Sequence, residues 1–364
     1  MEDLVGKLHR ERRLGACEYR SLLLCEDPQT VGRLHERARQ TAVERFGRDI
    51  YIRGLIEISN ICRNDCLYCG IRKSNRAVSR YTLTEEEIME CCHLGYGLGF
   101  RTFVLQGGEP PQGQDSRIEA ICRAIHREFP DCAITLSIGE RTEEAYRRFR
   151  QAGVSRYLLR HETHDPGHYA RLHPPGMSLE NRLRCLDTLK RYGYQTGTGI
   201  MVGSPFQSID SIIGDIIYIG EFGPDMIGLG PFIPHRDTVF ADYWNSETAI
   251  LKGKSHEEEA VELTLKLISI FRLMFPDSLI PATTALATLD PEGHQKGILA
   301  GANVIMPNLS PPSVRARYSL YDNKASSGTE AAEGIGKLKE QLRKTGYNIS
   351  VSRGDRPGRP EGQE

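Results

Sequence analysis

From residue 52 onward, short apolar runs rich in β-branched residues alternate with longer runs whose apolar positions recur every three or four residues. The first pattern is that of buried strands and the second that of amphipathic helices. Strands are expected near 52–59, 102–106, 133–138, 157–161, 196–202, 226–230, 279–283 and 303–306. Helices are expected between them, near 84–95, 115–129, 142–152, 178–192, 208–222, 257–275 and 291–301. Thr84, Thr142 and Ser178 each precede acidic residues and can cap the N–H groups of a first turn. Gly95, Gly153 and Gly193 stand where helices should stop.

Strands that alternate with helices imply a parallel sheet, because parallel neighbours need a crossover. Eight strands is the number that closes a (β/α)8 barrel, and the span 52–306 is close to the roughly 250 residues typical of that fold. A doubly wound open sheet is the competing arrangement. The expected architecture is therefore α/β, a complete (β/α)8 TIM-type barrel over 48–310. A charged helical extension at 1–47 precedes it, and a loop and helix packed on the barrel at 311–352 follow. Residues 353–364, rich in Pro, Gly and charge, are expected to be disordered.

Bulk properties narrow the function. The 47 Lys and Arg against 48 Asp and Glu leave a net charge of −1, so nothing points to nucleic acid. Mean hydropathy is −0.42, and no apolar run approaches the roughly 18 residues of a membrane span. The charged first residues lack the apolar segment of a secretory signal. Ten cysteines in such a chain suggest a reduced, cytoplasmic protein in which clustered cysteines are metal or redox ligands.

One such cluster exists. Cys62, Cys66 and Cys69 follow the first strand in a C-x3-C-x2-C spacing. Structural zinc normally takes four ligands in two pairs, and the chain has no second C-x2-C. Three thiolates on one loop suit an iron–sulfur cube with one iron left open. The stretch 60–83 is also longer than an ordinary βα loop. In a barrel, chemistry gathers at the C-terminal strand ends, and distinctive residues stand at each. Gln106-Gly107-Gly108-Glu109 ends the second strand, where glycines let backbone approach a ligand and Glu109 can accept from an ammonium group. Arg160 and Glu162 end the fourth and share one side of it. They form either a buried ion pair or, with Arg160 directed inward, an anchor for a carboxylate. Arg182 is a second candidate for a carboxylate. Thr283, Thr284 and Asn308 can simply satisfy turns, and Met306 suits a core. Cys91, Cys92, Cys122 and Cys185 fall within helices and read as structural.

With these residues placed, the chain resembles the radical S-adenosylmethionine (SAM) superfamily. The cysteine triplet, with Tyr68 before its last member, carries the likeness, as does Gly107-Gly108-Glu109. Within the superfamily it looks like the [FeFe]-hydrogenase maturases of the HydE type. That likeness lies in residues 156–163, 230–235, 280–285 and 303–308. The resemblance implies that Cys62, Cys66 and Cys69 hold one [4Fe–4S] cluster, whose open iron takes the amino and carboxylate groups of SAM. It further implies that Gly107, Gly108, Glu109, Thr135, Glu162 and Arg182 hold SAM, with Tyr68 by the adenine. Gln106, Arg160, Thr283, Thr284, Met306 and Tyr318 would line the substrate cavity. The implied substrate is an organometallic iron–cysteinate carrying carbonyl and cyanide, used in assembling the hydrogenase H-cluster. Implied partners are other hydrogenase maturation proteins and a low-potential electron donor such as ferredoxin or flavodoxin. Some family members hold a second cluster near the C-terminal edge; here that region reads Lys324-Ala325-Ser326-Ser327-Gly328 and no cysteine follows Cys185, so no second cluster is expected. Two readings compete with the maturase. One is a radical SAM mutase or synthase on an amino acid, a relative of methylornithine synthase or biotin synthase. The other is a non-enzymatic cluster carrier, which would leave Gly107-Gly108-Glu109 and Arg182 unexplained.

Overall fold

The computed structural model describes residues 3–111, 113–246, 249–251, 253–324 and 330–358. Its strands are β1 (Asp49–Ile52), β2 (Gly54–Ser59), β3 (Thr102–Gly107), β4 (Ala133–Ser137), β5 (Val154–Leu158), β6 (Gln195–Thr198), β7 (Met201–Val202), β8 (Met226–Ile227), β9 (Gly230–Pro231), β10 (Val304–Ile305) and β11 (Asn348–Ser350). Strands β2-β3-β4-β5-β6-β8 form one sheet with every neighbouring pair parallel. The parallel order follows from the helices that return the chain between them, such as Glu85–Gly97, Asp115–Glu128 and Leu179–Arg191. The hydroxyls of Thr84, Thr142 and Ser178 accept first-turn N–H groups as expected.

The complete barrel expected from the sequence is not present as one closed ladder. The two edges of the six-stranded sheet meet through single parallel bridges, Met226 with Leu279, Pro281 with Val304, and Leu55 with Asn308. The Leu55 N–H also donates to the Pro307 carbonyl at 2.9 Å. The run 279–283 forms no ladder for local reasons. Pro281 has no N–H to give, and Thr283 leaves the run to cap the helix Thr284–Leu289. Two further expected strands are split, into β6 with β7 and β8 with β9. A Cβ on Gly199 would stand 1.7 Å from the Gly228 carbonyl oxygen, so the two backbones cross there at glycines rather than running on as ladders.

Two apolar clusters flank the sheet. One joins Ile56, Phe103, Leu105 and Tyr157 to helices around it. The other joins the N-terminal helices, through Val5, Leu8, Leu22 and Leu34, to Leu263, Leu267 and Phe271 of the helix His256–Met274. Inside this second cluster Lys266 donates to the carbonyls of Leu23 (2.9 Å) and Cys25 (2.7 Å), and burial lowers its pKa.

Residues 353–358 correct the expectation of a disordered tail; 359–364 lie outside the described residues. Arg156, fully buried on β5, donates to the Arg353 carbonyl at 2.8 Å and pairs with Asp355. Gln195 donates to Asp355 at 2.7 Å, and Arg356 to the buried Asp225 at 2.8 Å. Buried charges need partners, and the tail supplies them at the N-terminal end of the sheet. Composition alone cannot register that demand. Among the described residues no helix is long and apolar enough to cross a membrane.

Candidate cluster and cofactor site

The three cysteines lie on the loop between β2 and the helix Glu85–Gly97, half-buried, and all ten cysteines of the chain are free thiols. The loop owes its shape to polar anchors rather than to an apolar core. The Arg80 guanidinium donates to four carbonyls, those of Asn60 (2.6 Å), Ile71 (2.7 Å), Arg72 (2.6 Å) and Asn75 (3.1 Å). Asn60 donates to the carbonyls of Ser79 (3.0 Å) and Arg317 (2.7 Å) and accepts from the Tyr81 N–H (2.8 Å). Arg72 grips Asp65 with two hydrogen bonds of 2.8 and 3.1 Å. Burial pushes all three thiols up, Cys69 to about 12, and the charge of Cys62 adds to this at both Cys66 and Cys69. Three cysteines free of disulfides on one loop can together serve as thiolate ligands. That donor set fits an iron–sulfur cluster.

Beside the loop, the end of β3 approaches closely. The Gly108 N–H donates to the Ser59 carbonyl at 2.9 Å, and a Cβ there would stand 2.6 Å from the Ile61 carbonyl oxygen and 2.9 Å from the Cys62 Cβ. Glu109 is buried. Its carboxylate accepts from Arg63 Nε at 2.6 Å and from the Glu140 N–H at 2.9 Å, while its carbonyl accepts the Arg63 N–H. The Thr135 hydroxyl, on β4, is buried and has no hydrogen-bond partner among the described residues, which suits a polar ligand.

Beyond β5 the chain carries Glu162 at φ +66°, an uncommon conformation for a side chain with a Cβ. The turn lets Arg160 Nη2 donate to Glu162 Oε2 at 2.7 Å, so the ion-pair reading of these residues holds. Among the described residues Arg160 Nε, which is buried, has no hydrogen-bond partner. Arg182 donates to the Arg160 carbonyl at 3.2 Å and pairs with Glu140 at 2.7 Å. Burial alone would lower the Arg182 pKa, but the charge of Glu140 and its neighbours holds it well above the ordinary value. Tyr68 reaches His173 Nε2 at 3.2 Å, and His173 Nδ1 lies 2.9 Å from the Tyr169 carbonyl. That carbonyl assigns the proton to Nδ1, so the Tyr68 hydroxyl donates to Nε2. Burial lowers His173 to about 4 and keeps it neutral at pH 7.

The residues named from the sequence thus divide. Cys62, Cys66, Cys69, Tyr68, Glu109, Arg160, Glu162 and Arg182 are joined by the contacts above or stand one residue from them. Gln106 donates to the Tyr318 hydroxyl at 3.5 Å, and Tyr318 is buried. Thr283 caps a helix, the bland role considered for it, with Thr284 as the first helical residue. Met306 is half-buried against a small cluster that includes Met226 and Val304. Several residues of the site were not singled out from sequence. Arg63, Arg80, Tyr169, His173 and Met177 are among them. Met177 brings its thioether 3.7 Å from the Cys66 sulfur. Asp165 followed by Pro166 is a helix start that could have exposed the helix Pro166–Leu172, which carries Tyr169.

A parallel α/β sheet with a three-cysteine loop after its first strand and a glycine-rich turn after the next defines a class, and residues 56–216 match the Radical SAM superfamily. The chain is 44% identical over 278 residues to the [FeFe] hydrogenase maturase subunit HydE of Thermotoga maritima, covering 76% of this chain and 75% of that protein. It belongs to the radical SAM superfamily and, within it, to the HydE-type maturases. It is also 30% identical over 323 residues to the 3-methylornithine synthase of Methanosarcina barkeri, covering 88% of this chain and 87% of the relative. The crystal structure of methylornithine synthase (PylB) superposes with a TM-score of 0.80 at 26% identity, over 95% of this chain and 97% of that one. The maturase HydG shares the fold, with a TM-score of 0.76 at 20% identity over 96% of this chain and 75% of that one.

Proposed function

We propose that this enzyme acts on an iron–cysteinate carbonyl–cyanide precursor during assembly of the [FeFe]-hydrogenase H-cluster. Cys62, Cys66 and Cys69 hold one [4Fe–4S] cluster. Gly107, Gly108, Glu109, Thr135, Glu162 and Arg182 hold SAM, and Tyr68 borders its adenine. When bound and reduced, the cluster supplies one electron that splits SAM into methionine and a 5′-deoxyadenosyl radical. The chain's own contribution is positional. Glu109, steadied by Arg63 and the Glu140 N–H, presents a fixed carboxylate to an ammonium group. Arg182 presents a cation that the charge of Glu140 and its neighbours keeps protonated against the opposing effect of burial. The bridges between the sheet edges support reading the fold as a full (β/α)8 barrel, whose walls keep water and stray hydrogen donors from the radical.

The observation that carries the substrate reading is Arg160. Glu162 fixes its guanidinium from one side, and its Nε is buried with no hydrogen-bond partner among the described residues. A bound α-carboxylate accepts from it and directs the attached sulfur. Gln106, Tyr318, Thr283, Thr284 and Met306 complete the cavity. Arg160→Ala is expected to abolish maturation of a hydrogenase while uncoupled SAM cleavage to 5′-deoxyadenosine persists. Equal loss of both would remove Arg160 from the substrate site.

A second reading, an amino-acid mutase, is favoured by the 0.80 superposition on methylornithine synthase. The higher identity to HydE, 44% against 30%, weighs against it. Formation of 3-methylornithine by the reconstituted enzyme would decide for the mutase. One cluster per chain is part of the proposal. Residues 325–328 of the segment in question lie outside the described residues, so iron content is the test: about four irons per chain, not about eight. The electron comes from a low-potential donor, other maturation proteins supply and receive the organometallic group, and the setting is the cytoplasm.

A further inference from the structure

Behind the turn that carries Arg160 and Glu162 lies a buried carboxylate that the proposed chemistry does not use. Asp215 stands on the helix Ile209–Phe222 and is fully buried. Its Oδ1 accepts the His164 N–H at 2.5 Å and lies 3.4 Å from Nε2 of His161, which is also fully buried. The contact with His161 is electrostatic, since Nε2 makes no hydrogen bond among the described residues. A carboxylate can only accept, so it favours the tautomer with the proton on Nε2, and Nδ1 then accepts from the Thr198 hydroxyl at 2.8 Å. Tyr218, on the same helix, stacks on the His164 ring with centroids 4.4 Å apart and meets the His161 ring edge-on at 4.9 Å. One helix thus grips the chain on both sides of Glu162.

Such a grip answers a local need. Glu162 holds φ +66°, a conformation that is costly for a side chain with a Cβ and persists only where the surroundings enforce it. Backbone bonds supply part of that enforcement. The Leu159 N–H donates to the Gly197 carbonyl at 2.9 Å and the Glu162 N–H to the Gly199 carbonyl at 3.1 Å. Past Glu162, the His164 N–H goes to the Asp215 carboxylate instead. Two contacts of the site depend on the path of this turn. Glu162 pairs with Arg160 Nη2 at 2.7 Å, and Arg182 donates to the Arg160 carbonyl at 3.2 Å. Burying a carboxylate whose Oδ2 has no hydrogen-bond partner among the described residues is a cost to the fold. Its contribution is therefore to fix the path of the turn rather than to stabilise the molecule as a whole.

We infer that Asp215 is a positioning residue: through the His164 N–H and the His161 ring it holds the turn 160–164 in the conformation that aims the Glu162 carboxylate and the Arg160 guanidinium into the site. It acts through these residues and not by contact with SAM or substrate. The inference rests on the assignment of Glu162 to SAM and of Arg160 to the substrate carboxylate.

The test compares Asp215→Ala and Asp215→Asn with wild type, as full chains with reconstituted cluster. In the alanine variant the dissociation constant of SAM, read by equilibrium dialysis, is expected to rise about tenfold. KM for SAM in dithionite-driven 5′-deoxyadenosine formation should rise with it, while kcat at saturating SAM stays within about twofold of wild type. Hydrogenase maturation at saturating SAM should still fall several-fold, because Arg160 shifts with Glu162. The asparagine variant, whose side-chain oxygen can still accept the His164 N–H, should recover most of the SAM affinity. Ile216→Val removes one methyl from the apolar face of the same helix, and should lower stability but leave SAM affinity unchanged. Unchanged SAM affinity in Asp215→Ala overturns the proposal. So does an equal loss of affinity in Ile216→Val, which would trace the effect to a loosened helix. If the alanine variant does not fold, Thr198→Val keeps the shape but removes the hydroxyl that meets His161 Nδ1. It is expected to raise KM for SAM with kcat held, and an unchanged KM there overturns the proposal equally. Amide exchange at His164 gives a readout without SAM, and should quicken in Asp215→Ala but not in Ile216→Val. If wild type itself bound no SAM, the assignment of Glu162 to SAM would fail, whereas exchange at His164 would still decide whether Asp215 holds the turn.

Discussion

Gly108 shows how closely the two halves of the site are fitted. The β3 backbone lies so near the cysteine loop that a single added methyl meets the Ile61 carbonyl and the Cys62 Cβ. Both obstacles are backbone or near-backbone atoms and cannot rotate away. Gly108→Ala is therefore expected to displace Cys62 and cut the iron retained after reconstitution several-fold, read by iron analysis. Gly97→Ala is the control. It lies at a helix end with nothing within 4 Å of the new Cβ, and should leave iron content unchanged and stability level or higher by up to about 1 kcal/mol. At this scale the sequence was informative where spacing is short. The cysteine triplet and the glycine turn follow from local spacing, whereas Arg160 and Glu162 meet beyond the end of β5 through the turn at Glu162 and not by strand alternation. The partners of the charged residues did not follow. Arg63 with Glu109 and Arg182 with Glu140 join segments far apart along the chain, and no local pattern specifies which charges meet.

The loop 60–83 is the element on which the proposed chemistry depends, and Arg80 is its organiser. Four carbonyls from separate turns converge on one guanidinium. Replacing it with the similarly long but neutral Met removes all four bonds and leaves buried carbonyls unsatisfied. Charged hydrogen bonds contribute about 1.5–3 kcal/mol each, but a surface loop relaxes and recovers much of this with water. Arg80→Met is expected to cost about 2–4 kcal/mol locally. Amide exchange in 60–83 should quicken while the sheet stays protected, and iron occupancy should fall. Unchanged exchange there would show that the cysteines order the loop without Arg80. The strands offer the opposite lesson. Their positions were legible from apolar runs, but the breaks at Gly199 and Gly228 were not, because they answer to a crossing between two strands rather than to either run.

For the whole molecule, the tail at 353–358 matters more than its composition suggests. Burial alone would raise Asp355, but the Arg156 guanidinium beside it, with Gln195, holds its carboxyl at about 2, below the ordinary 3.8. The folded protein thus binds that proton more weakly than the unfolded chain. The resulting stability is fully present above about pH 4 and is lost as pH falls toward 2. Asp355→Asn is expected to destabilise the protein by about 2–4 kcal/mol at pH 7, since it also leaves Arg156 buried without its anion. The difference from wild type should shrink in urea unfolding curves taken progressively below pH 4. A deficit that persists undiminished to low pH would trace the loss to packing instead of charge.

By itself the sequence determined the alternation of strands and helices, the close spacing of the three cysteines, and the family to which the chain belongs. These depend on periodicity and on neighbours a few residues apart, which survive in one dimension. Only the tertiary structure decided which cations face which carboxylates and which strands break where glycines cross. It also decided that the tail fastens to Arg156 and Asp225. Those outcomes depend on buried charge needing a partner from wherever the chain can bring one, and on backbones approaching in space, which spacing along the chain does not encode.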